Sequence, residues 1–346
     1  MIRPDLESLP AYVPGKRQED ALKLSSNESA VPPLPAAVEA ATKAAATAHR
    51  YPDMAAVELR TALADHLGLE CEQVAVGTGS SALCQQLIQA TCAQGDEVVF
   101  PWRSFEAYPI FAQVHGATPV PVPLRDHGVD LPALAGAITD RTRVVFVCNP
   151  NNPTGTTVTR AEFAAFMERV PAHVVVALDE AYFEYVRTAD TPVATQAVQD
   201  YPNVVGLRTF SKAYGLAGLR VGYAFGPAEL IAAMNKVAIP FSISSVAQAA
   251  AVASLAAQDE LAQRADATVA QRGPVAAALG ALPSEANFVW LPGAQPDLAQ
   301  ALAQEGVLVR SFPEGIRITV TTKEESERLL AAWEKVSAAP LPVAGG

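Results

Sequence analysis

From residue 73 onward, short apolar runs alternate with stretches whose apolar residues recur at helical spacing. The runs 73–76, 97–100, 118–122, 144–148, 174–178, 204–207 and 221–225 predict seven strands. Helices are expected from Ala82, Ser104 and Leu131, and Thr159 with Glu162 forms a capping box for another. Continuous β-branched runs separated by helices suit a sheet covered on both faces, so the pattern predicts a mostly parallel α/β layer. Two helical patterns precede it, at about 35–48 and 55–67, behind a Pro-rich stretch that reads as an extended arm. Past about residue 235 the pattern changes to long Ala-rich helical stretches, then strands at 287–291, 307–310 and 316–320. A last helix opens at a second capping box, Thr322 with Glu325. The expected organisation is an arm over 1–35 packing with a small α+β domain over 236–346, a large domain over 36–235, and a loose tail.

Composition supports this and narrows the partners. A chain of 346 residues exceeds what one core fills, and 50% hydrophobic with 18% charged residues argues for a large buried sheet. A formal net charge of -11 disfavours nucleic acid and anionic membranes, so an anionic ligand would need local arginines. The four cysteines show no paired spacing and suit a reducing compartment, and the histidines form no metal-ligand pattern. The first residues are too polar for a signal peptide and no apolar run reaches spanning length, so a cytoplasmic location and no metal are expected.

In open parallel sheets, chemistry collects beyond the carboxyl ends of the strands, and four segments there carry candidate groups. Lys212 lies on a small, Gly-rich connection between two apolar runs, with Thr209, Ser211 and Arg220 around it. Burial would lower its pKa and leave an amine able to form a Schiff base; a solvated loop lysine is the plainer alternative. Gly77-Thr78-Gly79-Ser80-Ser81 opens a helix and can offer backbone N–H groups to a phosphate. It also reads as a weak dinucleotide fingerprint, although the acid expected after the second strand is missing, or as a plain turn. Asn149-Pro150-Asn151-Asn152-Pro153-Thr154-Gly155 offers amides to a ligand oxygen or is a structural turn. Asp179, with Tyr182 three residues on, is either a helix cap or a charge-assisted partner for a cationic ring nitrogen.

Together these segments resemble the pyridoxal-phosphate aminotransferases of fold type I, and more narrowly the histidinol-phosphate and aromatic amino acid aminotransferases. The resemblance runs from Tyr12 to Thr321, and Phe100-Pro101-Trp102-Arg103-Ser104-Phe105-Glu106-Ala107-Tyr108 is similar to a run in short actinobacterial-type phenylalanine aminotransferases. It implies pyridoxal 5′-phosphate held covalently by Lys212, with Asp179 keeping the pyridine nitrogen protonated and Asn152 and Tyr182 bonding the ring's phenolic oxygen. Phe105 would stack on the ring. Gly79, Ser80, Ser81, Thr209, Ser211 and Arg220 would hold the phosphate, joined by Tyr51 from a neighbouring subunit of a homodimer. Arg317 would bind the substrate carboxylate, with Arg310 near the same pocket and Tyr12, Asn27, Asn152 and Asn287 lining it.

The sequence departs from many relatives at Ser81-Ala82, where two acids are usual, at Thr319-Val320-Thr321, which lacks a glycine, and in the short loop between Arg310 and Arg317. These positions bear on substrate choice. The expected activity is transfer of an amino group between an aromatic amino acid and a 2-oxo acid such as 2-oxoglutarate. Trp102, Phe105, Tyr108, Phe241 and Tyr12 are candidates to receive the flat ring. Histidinol-phosphate transamination is the alternative, and decarboxylation of an amino acid phosphate and a non-catalytic ligand sensor are the more distant ones.

Overall fold

The computed structural model describes residues 20–293 and 296–338, together with residues 2, 7 and 9. A two-residue strand, β1 (Leu22–Lys23), leads to α1 (Pro35–Ala45) and α2 (Val57–Leu67). Pro35 stands in the first turn of α1, where its missing N–H costs nothing, and Gly68 at φ 68° ends α2 in the left-handed region. The main sheet then takes β2 (Val74–Gly77), β3 (Glu97–Trp102), β4 (Thr118–Pro123), β5 (Thr142–Cys148), β6 (Val175–Asp179), β7 (Val204–Thr209) and β8 (Gly222–Phe225). Between them lie α3 (Ser80–Thr91), α4 (Ala107–Val114), α5 (Leu131–Gly136), α6 (Arg160–Met167) and α7 (Ala194–Asp200).

The seven expected strands therefore form one sheet, in the order β2-β8-β7-β6-β5-β3-β4. Neighbours are parallel except β8, which runs antiparallel to both β2 and β7. Side-chain alternation sorts the apolar runs onto two faces. Val144, Phe146 and Cys148 of β5 pack with Leu83, Leu87 and Tyr108, whereas Val145 and Val147 pack with Leu134 and Phe163. At roughly 1.5–3 kcal/mol for each large apolar side chain fully buried, these two layers are the main source of the sheet's stability. The capping box at Thr159 forms as expected, with Glu162 returning a carboxylate oxygen to the Thr159 N–H at 2.8 Å.

Beyond the sheet come α8 (Ala228–Val237), α9 (Ser245–Leu255), α10 (Gln258–Leu279), β9 (Phe288–Pro292), α11 (Pro296–Gln304), β10 (Val307–Leu308), β11 (Arg310–Phe312), β12 (Gly315–Thr319) and α12 (Lys323–Ala338). Strands β11, β12 and β9 make a small antiparallel sheet with its own apolar cluster. The single strand expected at 307–310 divides: β10 pairs in parallel with β1, and β11 pairs with β12. Leu22 and Leu24 thereby join the third cluster, beside Val289, Ile318 and Leu329. Helix α9 and the first half of α10 pack on the main core through Ala247, Leu255, Leu261 and Ala265; from Val275 onward α10 serves the third cluster. The last expected capping box is half formed: Glu325 N–H donates to Thr322 Oγ1, but the Glu325 carboxylate accepts from Thr321 Oγ1 instead.

Candidate active site

The carboxyl ends of β5, β6 and β7 and the start of α3 converge on a cleft of about 190 Å³, faced from the other side by residues 25–27 and by β11 and β12. Lys212 sits in the connection from β7 to β8, which closes at its neck through Phe210 N–H to Val221 O at 3.1 Å. The side chain is half-buried, its Nζ donating to Ser26 O at 3.2 Å and lying 5.8 Å from the Tyr182 ring centroid. Burial, reinforced by the positive charges of Arg317 and Arg220, pushes its ammonium down to about 8. A solvated loop lysine does not describe it.

Asp179 is the last residue of β6, and strand alternation sends it and Glu180 to opposite sides. Glu180 turns under the sheet into a buried pair with Arg208 at 2.8 Å, while Asp179 faces the cleft and is 4% exposed. Burial raises the Asp179 carboxyl to about 6; hydrogen bonds from Tyr108 Oη at 2.6 Å and from Ala181 N–H at 3.2 Å hold it back from going higher. Tyr108 is itself fully buried and stacked on Phe146 at 4.3 Å, so it supports Asp179 and offers no surface to a substrate ring. Cys148 also lines the cleft, but burial pushes its thiol up to about 12 and leaves it protonated.

Opposite these groups is an anion cradle. Gly79, at φ 83°, is the N-cap of the twelve-residue α3, and a Cβ there would fall 2.5 Å from Arg220 Nη2. A Cβ on Gly222 would fall 2.4 Å from Ser80 N, so backbone and guanidinium meet where only hydrogen fits. Ser80, Ser81, Thr209, Ser211 and Arg220 all line the cleft, with Arg220 Nη1 donating to Ser211 Oγ at 3.2 Å. Helix terminus, hydroxyls and guanidinium suit a phosphate, the Asp179 carboxylate suits a cationic ring nitrogen, and the amine suits an aldehyde. These are the three ends of the expected cofactor, and the residues present fit it.

On the substrate side, Arg317 of β12 donates to Asn152 Oδ1 and to Ser25 O, each at 2.6 Å. Asn27 donates from Nδ2 to Tyr182 Oη at 2.9 Å and accepts from Thr319 Oγ1 at 3.0 Å. Burial raises the Tyr182 phenol. Arg310 of β11 reaches the cleft, where its Nη2 meets Glu106 Oε2 at 2.8 Å; Phe105 and Phe312 stand beside them. Of the three asparagines in the loop after β5, Asn149 and Asn151 are spent on the fold, bonding Thr191 and Thr154, and only Asn152 lines the cleft. Asn287 lies just outside, its Nδ2 donating to Asn27 O at 3.2 Å. Tyr51 is 83% exposed and packs on Phe241, away from the cleft, and Tyr12 lies outside the described residues. Sequence reasoning missed Glu106 and the carbonyls of Ser25 and Ser26; a main-chain oxygen leaves no trace in residue type.

The family model for aminotransferase class I and II matches residues 19–332. An aromatic amino acid aminotransferase of Corynebacterium efficiens is 68% identical over 339 residues, covering 97% of this chain and 99% of the relative, and one of Corynebacterium glutamicum is 66% identical over 98% and 100%. Among solved structures, a histidinol-phosphate aminotransferase from Sinorhizobium meliloti in complex with pyridoxal-5'-phosphate superposes with a TM-score of 0.88 at 31% identity, covering 98% of each chain.

Proposed function

Because the chain belongs to the aminotransferase class I and II family, we propose that it uses pyridoxal 5′-phosphate to move the amino group of phenylalanine, tyrosine or tryptophan to a 2-oxo acid such as 2-oxoglutarate. The observation that carries this reading is a lysine depressed to about 8 and a buried carboxylate raised to about 6, sharing one cleft with an anion cradle. When bound, the cofactor supplies an aldehyde that condenses with amines and a ring that draws off the electron pair left by a departing α-proton.

The chain's own residues bind, orient and move protons. Lys212 would hold the cofactor through Nζ and, with its place taken by the substrate amine, would carry the proton from the substrate Cα to the carbon of the cofactor's aldehyde group. An ammonium held near 8 makes that amine available as a base close to neutral pH. Asp179 holds a proton on the ring nitrogen, a task for which a buried carboxylate gains its partner's charge in place of water. Tyr182 Oη and the Asn152 amide, whose Oδ1 is already engaged by Arg317, donate to the phenolic oxygen. Gly79, Ser80, Ser81, Thr209, Ser211 and Arg220 hold the phosphate, and Phe105 covers the ring. Arg317 grips the substrate carboxylate with a planar fork, assisted by Asn27, while residues 25–27 keep water from the reacting carbon.

The same proposal covers the assembly. The exposed apolar residues Tyr51, Met54, Val57, Ile239 and Phe241 support a homodimer in which Tyr51 completes the partner's phosphate site. The separate third core cluster supports a smaller C-terminal domain that takes in the arm. Four free cysteines support a cytoplasmic setting, and no helix among the described residues is long and apolar enough to cross a membrane. The test is a set of spectrally monitored half-reactions of the purified holoenzyme with phenylalanine, tyrosine, tryptophan and histidinol phosphate. Phenylalanine is expected to give a higher specificity constant than histidinol phosphate; the reverse ranking selects the histidinol-phosphate reading.

A further inference from the structure

Arg310 and Arg317 reach the same cleft from adjacent strands and sit opposite one another in the β11–β12 register, yet they are held differently. Arg317 donates to the neutral oxygens of Asn152 and Ser25. Arg310 donates to a carboxylate, Glu106 Oε2, at 2.8 Å. Glu106 comes from the main-sheet side, at the N-cap of α4, and its other oxygen lies 3.9 Å from Arg103 Nη1. Both Glu106 and Arg310 line the cavity that holds Lys212 and Asp179, with the Phe312 ring 5.6 Å from the Arg310 guanidinium.

We propose that Glu106 sets the charge preference of the substrate side-chain subsite by occupying Arg310. The inference rests on the aminotransferase reading above and goes on to its selectivity. A substrate needs one arginine for its α-carboxylate. A second arginine next to the same pocket would favour side chains that carry phosphate or carboxylate. Pairing with Glu106 cancels that charge and leaves Phe105 and Phe312 as the surface an uncharged ring meets. An anionic side chain reaches Arg310 only by displacing Glu106, and so gains less from the contact. The dicarboxylate acceptor is bound in spite of the pair, which sets its affinity below that of an aromatic ligand.

The experiment measures calorimetric affinities of the holoenzyme for two unreactive ligands, 3-phenylpropanoate and glutarate, which differ in the charge at the distal end. In Glu106→Gln, glutarate is expected to bind about ten- to a hundredfold more tightly, with 3-phenylpropanoate changed by less than about threefold. Glu106→Asp keeps the charge and is expected to keep the wild-type ratio. In Glu106→Gln with Arg310→Gln, the gain for glutarate should vanish. The inference is overturned if Glu106→Gln leaves glutarate unchanged, or if it moves both ligands together, as loss of a strut between the two sheets would. It is equally overturned if Glu106→Asp behaves like Glu106→Gln, or if the gain survives without Arg310. Turnover of phenylalanine by the wild-type holoenzyme, measured on the same preparation, tests the activity separately from its selectivity.

Discussion

Burial works in opposite senses on the two ionisable groups that face each other in the cleft, lowering Lys212 and raising Asp179. For Asp179 the folded pKa of about 6 stands above the ordinary aspartate value of 3.8 that the unfolded chain has, so the folded apoprotein holds a proton that the unfolded chain releases. Its contribution to stability is therefore greatest below about pH 4 and falls as pH rises through 6. Asp179→Asn removes the charge; its single oxygen keeps the Ala181 N–H bond while Nδ2 faces Tyr108 Oη as a donor, and it should stabilise the apoprotein at pH 7 by up to about 3 kcal/mol while abolishing turnover, as read by thermal melts and assays. Tyr108→Phe removes a donor to that carboxylate, and should move the acid limb of the kcat/KM profile upward by up to about one pH unit. Lys212→Ala should lose both the absorbance of covalently held cofactor and all turnover; measurable turnover of the purified variant would remove Lys212 from the mechanism. Arg317→Ala should weaken substrate binding by about 1.5–3 kcal/mol, and an unchanged affinity would place the carboxylate elsewhere. Asp179 was legible because a charged residue at the end of an apolar run is conspicuous, Lys212 because it stands on a Gly-rich connection between two such runs, and Arg317 because it alternates with apolar neighbours on a short strand. Tyr108 was legible only as an aromatic residue, since 71 positions separate it from the carboxylate it supports.

Two antiparallel pairings of β8 build the cradle: with β7 it frames the lysine connection, and with β2 it brings Gly222 under the first turn of α3. Gly222→Ala would set a methyl group 2.4 Å from Ser80 N and 2.7 Å from the Gly79 carbonyl carbon, both backbone atoms that cannot swing aside. Cofactor affinity, measured by equilibrium dialysis, should fall at least about tenfold, with the sheet otherwise intact. An undiminished affinity would show that the phosphate does not depend on this close approach. Six of the seven strands could be read from the chain because each is a run buried along most of its length, and such runs have few other uses; the edge strand β4 buries only Val122 and stood out by its β-branched residues alone. Strand β1 could not, since two residues make no pattern, and α7 follows Val193 with no capping side chain to announce it, unlike the comparably short α5 behind Asp130. The division of 307–310 was hidden for a related reason: Val307, Leu308 and Val309 are all apolar, and which partner each residue pairs with is decided by the distant arm and by β12.

The whole molecule exposes a group of large apolar side chains, among them Ile239 at 74% and Met54 at 63%, close in sequence to the Tyr51 and Phe241 rings, which contact each other at a tilt. If that face is shared between two copies, Tyr51→Phe should leave the sedimentation coefficient of the dimer unchanged while weakening cofactor binding by about tenfold. A monomer that retains full affinity would refute the shared site. Sequence could mark Tyr51 only by likeness, because its ring contact, Phe241, lies far along the chain and neither residue carries a charge or a motif. The segment before α1 bears on access. Leu22 and Leu24 donate to Gly306 O and Leu308 O at 2.8 Å, and Leu24 O accepts from Thr319 N–H at 3.0 Å, so this stretch is stitched to β10 on one side and to the small sheet on the other. Its next three residues meet Arg317, Lys212 and Tyr182. The doorway and its frame are thus one piece: a displacement of the small sheet would pull on the same hydrogen bonds that hold residues 25–27 over the lysine, so rim and pocket lining are coupled.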